Sequence, residues 1–347
     1  MSEKKNSWLI GGLIGIGAVA AVASMVKKQR QYDFKDKVVL ITGGSRGLGL
    51  VLAREFAAAG SRLAICARDE EELAAAREDL ENRGAEVFDA ICDLRNQDEV
   101  NDLIGDVKTR FGQIDVLVNN AGVIQVGPLE VQTQKDFEDA MAIHFWAPFY
   151  TMQAVLPEMR ERGAGRIINI SSIGGKIAVP HLAPYCASKF ALVGLSSAMQ
   201  VELAKENIFV TTVCPGLMRT GSHINAYFKG QNKKEFALFS LSNALPVSSI
   251  NAERAARQII AASKRGDAEA IISTQAQFAA RMHNLFPEFT SDILSLVNRL
   301  LPSEGGIGKG YATGLESASI VSPSFMTALS DTASFQNNEL NLVNRES

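Results

Sequence analysis

The sequence has few of the residues that build disulfide or metal frameworks. Only four of the 347 residues are cysteine, and only four are histidine. The cysteines show neither paired spacing nor the density of a disulfide scaffold, and no group of cysteine and histidine has the spacing of metal ligands. We therefore expect no metal site, and we interpret the cysteines as small buried apolar residues in a reducing compartment. They are Cys66, Cys92, Cys186 and Cys214.

An excess of charge of one sign is also missing. The chain carries 35 lysine and arginine residues against 38 aspartate and glutamate residues, for a net charge of −3 at pH 7. Bulk electrostatics therefore give no reason to expect binding to nucleic acid. We see no internal repeat beyond an alternation of strand and helix patterns, and the length suffices for one sizeable domain with extensions.

Short apolar runs that alternate with helical patterns dominate residues 35–272. This alternation predicts an α/β fold built on a doubly wound, mostly parallel sheet. In such sheets, ligands bind at the carboxyl ends of the strands. The predicted strands cover residues 37–42, 61–66, 86–91, 114–118, 166–171, 208–213 and 268–272.

A glycine-rich turn joins the first predicted strand to a helical pattern. Its sequence is Gly43-Gly44-Ser45-Arg46-Gly47-Leu48-Gly49. A turn of this kind lets backbone amides and a helix N-terminus approach a pyrophosphate. The spacing, Gly-x-x-x-Gly-x-Gly, differs from the commoner Gly-x-Gly-x-x-Gly fingerprint of dinucleotide sites. A purely structural turn is the alternative.

Three residues in the middle of the chain have the pattern of a proton-transfer site. Tyr185 and Lys189 are four residues apart, so on a helix they point into the same space, unless they are simply a surface tyrosine and a solvated lysine. A nearby cation favours the tyrosinate, and we expect Lys189 to lower the pKa of the phenol towards the working pH. The phenol can then exchange a proton with a carbonyl or alcohol oxygen. Ser172 ends a predicted buried strand, thirteen residues before Tyr185.

Together these motifs resemble those of the short-chain dehydrogenase/reductase family over about residues 35–272. The glycine turn has the family's form, Thr42-Gly43-x-x-x-Gly47-x-Gly49. Asn119-Asn120-Ala121-Gly122 follows the fourth predicted strand, as the family's Asn-Asn-Ala-Gly does. Asp93 matches the aspartate near the adenine, and Pro215-Gly216 matches the Pro-Gly beside the nicotinamide.

The resemblance implies a Rossmann fold, a nicotinamide cofactor and three catalytic residues. Ser172 would hold the substrate carbonyl oxygen, and Tyr185 would protonate the forming alkoxide. Lys189 would lower the tyrosine pKa and bind the nicotinamide ribose, and Asn119 would support the cofactor-side wall. The residues expected to hold the cofactor are Thr42, Gly43, Ser45, Arg46, Gly47, Leu48, Gly49, Arg68, Asp93, Asn119, Ala121, Gly122, Tyr185, Lys189, Pro215, Gly216 and Thr220.

One residue departs from the family pattern. The family usually has an asparagine in the helix after the fourth strand, where it helps to hold a water in the proton relay, and His144 stands at that position. An imidazole can donate and accept hydrogen bonds, and it titrates near neutrality. We therefore count His144 as a candidate catalytic residue that continues the relay, with an ordinary helix histidine as the alternative. If the relay fails, a low turnover or a binding role becomes more credible.

The end of the second predicted strand indicates which cofactor fits. NAD-dependent relatives carry an acidic residue there to hold the ribose hydroxyls, but here that position is Ala67. Arg68 follows it, and Arg46 lies in the glycine turn. Two guanidinium groups suit a 2′-phosphate, which they bind by charge-assisted hydrogen bonds. The sequence therefore predicts NADP(H), unless both arginines are simply solvated.

Residues 8–26 form an uncharged, mostly apolar run with basic residues on both sides. As a helix this run would span about 28 Å, close to the hydrocarbon thickness of a bilayer. We expect residues 1–30 to form an uncleaved transmembrane anchor, with a cleaved signal peptide as the competing interpretation. The protein would then be a single-pass membrane protein whose catalytic domain faces the cytoplasm, where the cofactor pool and reduced thiols are.

Two further segments follow the last predicted strand. Residues 273–302 carry apolar residues at helical spacing and predict an amphipathic helical extension. This extension has two interpretations: its helices pack on the core, or they contact the membrane or frame the opening of the substrate site. From Ser303 the chain is rich in glycine, serine, threonine and asparagine, so we expect residues 303–347 to be a flexible tail.

These features lead to one main functional hypothesis. The chain is expected to be a membrane-anchored, NADP(H)-dependent oxidoreductase that interconverts a carbonyl and an alcohol on an apolar or lipid-like small molecule. The apolar substrate is suggested by apolar side chains in the lid at residues 218–247, which buried packing explains equally well. A catalytically weak, membrane-tethered NADP(H)-binding scaffold or sensor is the alternative. The resemblance also makes a homo-oligomer an expectation, formed through the helices that follow the fourth and fifth strands.

Overall fold

Seven parallel strands form the central sheet of the protein. The computed structural model describes residues 30–244, 249–318 and 328–340. In chain order, its strands are β1 Val38–Thr42, β2 Arg62–Ala67, β3 Val87–Ile91, β4 Val116–Asn119, β5 Gln125–Val126, β6 Gly165–Ile170, β7 Ile208–Pro215, β8 Leu217–Arg219, β9 Tyr227–Phe228, β10 Ser249–Asn251, β11 Glu269–Ile272 and β12 Ala312–Thr313. The order in the central sheet is β3-β2-β1-β4-β6-β7-β11, and all of its pairings are parallel.

The helices pack on both faces of this sheet. In chain order they are α1 Gly47–Ala58, α2 Glu70–Asn82, α3 Gln97–Phe111, α4 Gln134–Met141, α5 Ala147–Arg162, α6 Ala183–Leu203, α7 Asn232–Ala244, α8 Ala252–Arg265, α9 Thr274–Leu285, α10 Pro287–Asn298 and α11 Ala328–Gln336. A π-helical turn, Ala142–Trp146, joins α4 to α5. Helices α1, α2 and α8 contribute to the apolar core on one face, and α3, α5 and α6 contribute to the core on the other.

This sheet confirms the predicted doubly wound α/β fold. All seven predicted strands are present, and none of their ends is displaced by more than two residues. Along β1, Val39 and Ile41 belong to one core, whereas Val38 and Leu40 belong to the other. A strand covered on both faces needs apolar residues at every position, which explains why these strands were recognisable as continuous apolar runs.

The order of the strands places a crevice beside β1. This strand lies between β2 and β4, so the chain winds away from it in both directions. At such a switch point, the loops that follow the two central strands separate and leave room for a ligand. The glycine turn follows β1 and Asn119 ends β4, so both lie at this edge.

The helical extension at residues 273–302 is present as α9 and α10, but it is hardly packed on the core. The buried residues of α9 are Ala276 and Ala280, and α10 has none. Packing on the core therefore does not explain the large apolar side chains of this extension. Those that stay exposed are Phe278, Leu285, Phe286, Phe289, Ile293, Leu296, Val297 and Leu300.

The predicted flexible tail needs correction for residues 303–318 and 328–340. Strand β12 pairs antiparallel with β9. Beyond α11, Asn337 and Glu339 are only 2% and 6% exposed. The prediction relied on the scarcity of apolar clusters, but polar contacts hold much of this segment, and a composition rule does not detect them.

The lid at residues 218–247 buries part of its apolar content within itself. Phe228 and Phe236 form a small apolar cluster with Val126 and Ala226. For these two phenylalanines the structure favours the packing explanation, so they carry no information about the substrate.

The apolar run at residues 8–26 lies outside the described residues. Within residues 30–244, 249–318 and 328–340, no helix combines the length and the apolar character that a bilayer crossing requires. The transmembrane anchor and the placement of the protein in a membrane therefore stay predictions.

Candidate active site

One asparagine holds the glycine turn in place. Asn120 donates hydrogen bonds from Nδ2 to the carbonyl oxygens of Thr42 (3.1 Å) and Gly43 (3.0 Å). Gly43 and Gly47 have φ angles of +62° and +55°, which other residues rarely adopt. A Cβ at Gly49 would lie only 1.9 Å from the carbonyl oxygen of Gly43. The turn therefore presents backbone rather than side chains, which is the shape that a bound phosphate requires.

A buried network fixes Asn119 at the end of β4. Its Nδ2 donates to Asn169 Oδ1 at 2.8 Å, and its Oδ1 accepts from Thr151 Oγ1 at 2.7 Å. Asn169 in turn donates from Nδ2 to Ser196 Oγ at 2.7 Å. These bonds tie β4 and β6 to α5 and α6. These buried hydrogen bonds thus fix the position of Asn119. Its role as a wall of the cofactor site stays a prediction.

Ser172, Tyr185 and Lys189 meet at the carboxyl end of β6. Ser172 Oγ accepts a hydrogen bond from the N–H of Gly174 at 3.0 Å. Helix α6 carries Tyr185 and Lys189. Lys189 Nζ donates to the carbonyl oxygen of Ile170 at 2.9 Å and lies 5.6 Å from the centre of the Tyr185 ring. The structure therefore brings together the three side chains that the sequence pattern selected.

The tyrosine does not have the lowered pKa that we expected. Burial raises the pKa of Tyr185 to about 12, and hydrogen bonding with Ser172 opposes this only in part. Burial also lowers the pKa of Lys189 to about 7. A lysine that is only partly charged at neutral pH stabilises a tyrosinate weakly. Desolvation of the buried phenol therefore outweighs the effect of the neighbouring charge on its pKa, and Tyr185 keeps its proton at neutral pH. The four-residue spacing gives no information about this desolvation.

His144 is buried in the π-helical turn, and both of its ring nitrogens are engaged. Nε2 accepts from the N–H of Val123 at 3.1 Å, so the ring proton is on Nδ1, which lies 2.8 Å from Ser188 Oγ. Ser188 Oγ also donates to the carbonyl oxygen of Tyr185 at 2.8 Å. Burial and the nearby Lys189 hold the pKa of His144 well below its ordinary value. The neutral ring joins the loop after β4 to α6, and its part in a proton relay stays a prediction.

The two arginines predicted to bind a 2′-phosphate have different surroundings. Arg68 is exposed to solvent. Arg46 is paired with two carboxylates, because its Nη1 lies 2.5 Å from Glu72 Oε1 and its Nε lies 3.6 Å from Glu339 Oε2. These carboxylates offset the charge of Arg46, so Arg68 is the more available of the two for an added phosphate.

The remaining residues predicted to hold the cofactor lie at the same edge of the sheet. Asp93 follows β3, and a hydrogen bond from Arg95 (Nε to Oδ1, 2.9 Å) lowers its pKa. Pro215 ends β7 and Gly216 follows it, while Thr220 is buried a few residues further on. The turn and the loop after β4 supply Ser45, Leu48, Ala121 and Gly122.

Sequence reasoning did not find three polar residues of this region. Glu72 had a usable signal, because Asp69 accepts a hydrogen bond from the Glu72 N–H (2.9 Å) in a helix-capping pattern that places a carboxylate near the turn. Ser188 had no such signal in the sequence, because its hydrogen-bond partner His144 is 44 residues away. Glu339 lies in the segment that we expected to be flexible.

The cysteines are neither paired in disulfides nor grouped with metal ligands among the described residues. All four are buried free thiols. In the part of the chain that the structure describes, no group of three or more histidine, cysteine, aspartate or glutamate side chains is arranged to hold a metal ion.

Comparisons with known sequences find relatives of this chain. The sequence profile of the short chain dehydrogenase family matches residues 37–228. Dehydrogenase/reductase SDR family member 7B of Danio rerio is 36% identical over 230 residues, which cover 61% of this chain and 74% of that protein. Gluconate 5-dehydrogenase of Gluconobacter oxydans is 36% identical over 181 residues, covering 52% of this chain and 71% of the relative.

Solved structures show the same likeness. The crystal structure of an actinorhodin polyketide ketoreductase with NADPH has a TM-score of 0.61 at 32% identity, and the match covers 70% of this chain and 97% of that one. Levodione reductase has a TM-score of 0.60 at 27% identity, with 70% and 98% of the two chains covered.

We expect the stability of the protein to depend on pH through His144. Its pKa in the folded protein is lowered, so below about pH 6.5 the unfolded chain binds a proton that the folded chain does not. Stability from this residue is therefore present above that pH and is lost as the pH falls. The free energy of unfolding, measured with urea, should drop by up to about 1.4 kcal/mol per pH unit, and His144→Gln should remove this component.

A histidine elsewhere provides the control for this measurement. His283 lies on α9 and is half-buried, and His283→Gln is the matched variant for the loss of an imidazole elsewhere in the protein. Parallel stability curves for the wild type and His144→Gln would show that another group titrates.

Proposed function

The chain belongs to the short-chain dehydrogenase/reductase family, and from this we propose a membrane-anchored, NADP(H)-dependent oxidoreductase that interconverts a carbonyl and an alcohol. The observation that carries the proposal is the meeting of Ser172, Tyr185 and Lys189 at the carboxyl end of β6, beside the glycine turn. The relatives named above include a gluconate dehydrogenase and a polyketide ketoreductase, and both names describe chemistry of this kind.

The backbone that lines the crevice supports a dinucleotide as its ligand. Its floor has no room for side chains, since a Cβ at Gly122 would lie 2.9 Å from His144 Nε2 and one at Gly49 would strike the backbone. Backbone amides of the turn and the N-terminus of α1 would hold the pyrophosphate, and Lys189 would hold the nicotinamide ribose. When bound, the nicotinamide supplies or takes up the hydride of the reaction.

In this proposal, side chains of the protein carry out the proton transfer. Burial raises the pKa of Tyr185 to about 12, so its phenol is protonated at neutral pH and can donate to a carbonyl oxygen. The hydroxyl of Ser172, oriented by the N–H of Gly174, would hold that oxygen. Lys189 has a pKa of about 7, and its protonated form would favour the tyrosinate that remains after the donation.

NADP(H) is the cofactor that the residues around the ribose favour. The position at the end of β2 where an acid would hold the ribose hydroxyls is Ala67, and the exposed Arg68 follows it. A solvent-facing guanidinium can bind the 2′-phosphate. The structurally similar ketoreductase was solved with NADPH, which supports the same choice.

Two features support a location at a membrane. The apolar run at residues 8–26 has the length and flanking charges of an anchor. Helices α9 and α10 expose large apolar side chains, among them Phe278 and Leu296, and exposed apolar surfaces of this kind mark interaction sites. We propose a single-pass protein whose catalytic domain faces the cytoplasm.

The substrate is proposed to be a small apolar or lipid-like carbonyl or alcohol. Membrane attachment places the site near such molecules, and the lid keeps half-buried apolar residues such as Ile224, Tyr227 and Leu241 that lie outside its packed cluster. The exposed aromatic rings of Trp146 and Phe190, on the helical segments after β4 and β6, support a homo-oligomer.

Tyr185→Phe should abolish turnover while the cofactor still binds. The change removes the only proposed proton donor but keeps the ring, and loss of a general acid costs on the order of 100-fold or more in rate. Turnover is measured with NADPH against aldehydes, ketones and quinones. Tyr150→Phe removes a hydroxyl from α5 and should retain activity. A wild-type protein that binds NADPH but turns over no carbonyl or alcohol would favour the scaffold or sensor.

Arg68→Ala should weaken the binding of NADPH much more than that of NADH, because only NADPH carries the 2′-phosphate. Loss of a charged hydrogen bond of roughly 1.5–3 kcal/mol corresponds to about 10- to 150-fold in Kd. Titration calorimetry with both cofactors measures the difference. Arg83→Ala, at the other end of α2, removes the same charge and should leave the ratio unchanged. Equal Kd values for NADPH and NADH in the wild type would contradict the assignment.

The full-length protein should stay with membranes through a carbonate wash, since a spanning helix is held by apolar burial rather than by surface charge. Deletion of residues 1–31 should release most of the protein in soluble form, with the apolar side chains of α9 and α10 leaving some weaker association. A mature N-terminus near Ser24 would instead identify a cleaved signal peptide, and a soluble full-length protein would contradict the anchor.

A further inference from the structure

The C-terminal segment, residues 328–340, lies on the glycine turn. The N–H of Gly47 donates to the carbonyl oxygen of Asn337 at 2.9 Å. Asn338 Nδ2 donates to the carbonyl oxygen of Ser45 at 3.0 Å. The segment therefore bonds to backbone groups of the turn that the proposed function reserves for the cofactor.

Glu339 places a carboxylate directly over this turn. It is 6% exposed, its Oε2 lies 3.6 Å from Arg46 Nε, and the same oxygen accepts a hydrogen bond from Asn225 Nδ2 at 2.7 Å. A Cβ at Gly47 would lie 2.5 Å from its Oε1. Burial raises the pKa of Glu339 and the charge of Arg46 opposes this, and an acidic group that faces an arginine at the start of a helix has the surroundings of a bound phosphate. Glu339 therefore stands where a phosphate group of the cofactor would be held.

The segment also contacts the opposite wall of the crevice. Asn337 Nδ2 donates to the carbonyl oxygen of Thr220 at 3.2 Å, and Ser334 Oγ donates to that of Gly221 at 3.4 Å. A Cβ at Gly221 would lie 2.4 Å from the Cα of Ser334. The segment thus bridges the turn after β1 and the loop after β8, two parts of the chain that a dinucleotide would have to lie between.

We propose that residues 328–340 form an autoinhibitory strap that occupies the phosphate-binding part of the crevice and leaves it before NADP(H) binds. The inference rests on the proposed function, in which this crevice holds NADP(H). The single N–H of Gly47 cannot serve both the carbonyl oxygen of Asn337 and a phosphate oxygen. The carboxyl group of Glu339 and a phosphate would also compete for the same position beside Arg46, and the ionised carboxylate would repel the phosphate.

The contacts that hold the strap suit reversible release. Most are neutral hydrogen bonds, which exchange for bonds to water at little net cost. Ala333 is the buried apolar residue among the described side chains of the strap. Helix α11 has nine residues, which is too short to be stable once it leaves the surface. The cofactor therefore competes with a weakly held segment rather than with part of the core.

The full-length variant Glu339→Ala tests the strap. Without the carboxylate the strap should dock more weakly, and NADPH should bind about 5- to 20-fold more tightly than to the wild type, because apparent affinity scales with the fraction of molecules whose crevice is free. Fluorescence titration of NADPH measures the change. Gln336→Ala is the matched control, since Gln336 is exposed and contacts Arg54 through its backbone carbonyl oxygen. It should bind NADPH as the wild type does.

Hydrogen exchange on the wild type shows which way the strap moves. Addition of NADPH should increase deuterium uptake in residues 328–340 and decrease it in the glycine turn. Decreased uptake in the strap, or equal or weaker NADPH binding by Glu339→Ala, would overturn the proposal and indicate a segment that closes over the cofactor. If neither protein binds NADPH or NADH, the proposed function fails together with the strap. If both bind NADPH equally well, only the strap fails.

Discussion

Two hydrogen bonds from the side chain of Asn120, to the carbonyl oxygens of Thr42 and Gly43, hold the glycine turn against the end of β4. This turn also sets where α1 begins. With the turn held, the N-terminus of α1 opens towards the crevice. The adjacent network from Asn119 to Asn169 then joins β4 to β6, the strand that leads to Ser172. A single edge of the sheet thus positions the groups that we propose to bind the cofactor and those that we propose to move the proton.

Desolvation of buried side chains, more than the spacing of charged residues, sets the pKa values in this site. The four-residue spacing correctly indicated that Tyr185 and Lys189 share a helix and approach each other. It carried no information about how deeply the pair is buried, and burial shifts both groups towards their neutral forms. His144 is neutral for the same reason. The site as it stands is therefore poor in charge, and a bound cofactor would bring most of the charge that these groups experience.

The parts that could be predicted from the sequence are those in which one local pattern decides the outcome. Inner strands such as β1 are covered on both faces, and apolar runs marked all seven strands to within two residues. The glycine turn and the residues at the strand ends followed from motifs of fixed spacing. The bonds between His144 and its partners Val123 and Ser188, and between Asn225 and Glu339, join residues far apart in the chain. Local patterns contain no trace of such pairs, and polar segments that order themselves in this way resemble disordered ones in composition.

The π-helical turn Ala142–Trp146 gives the long helical segment from α4 to α5 two separate phases. An α-helix advances by about 100° per residue, and a π turn takes up one extra residue. The two halves therefore do not share one helical wheel. Before the turn, Asp136 pairs with Lys229 beneath the lid, and after it Thr151 bonds to Asn119 at the sheet. Deletion of a single residue in the turn would give the whole segment one helical phase. No rotation of that continuous helix could then keep both the contact of Asp136 with the lid and the contact of Thr151 with the sheet.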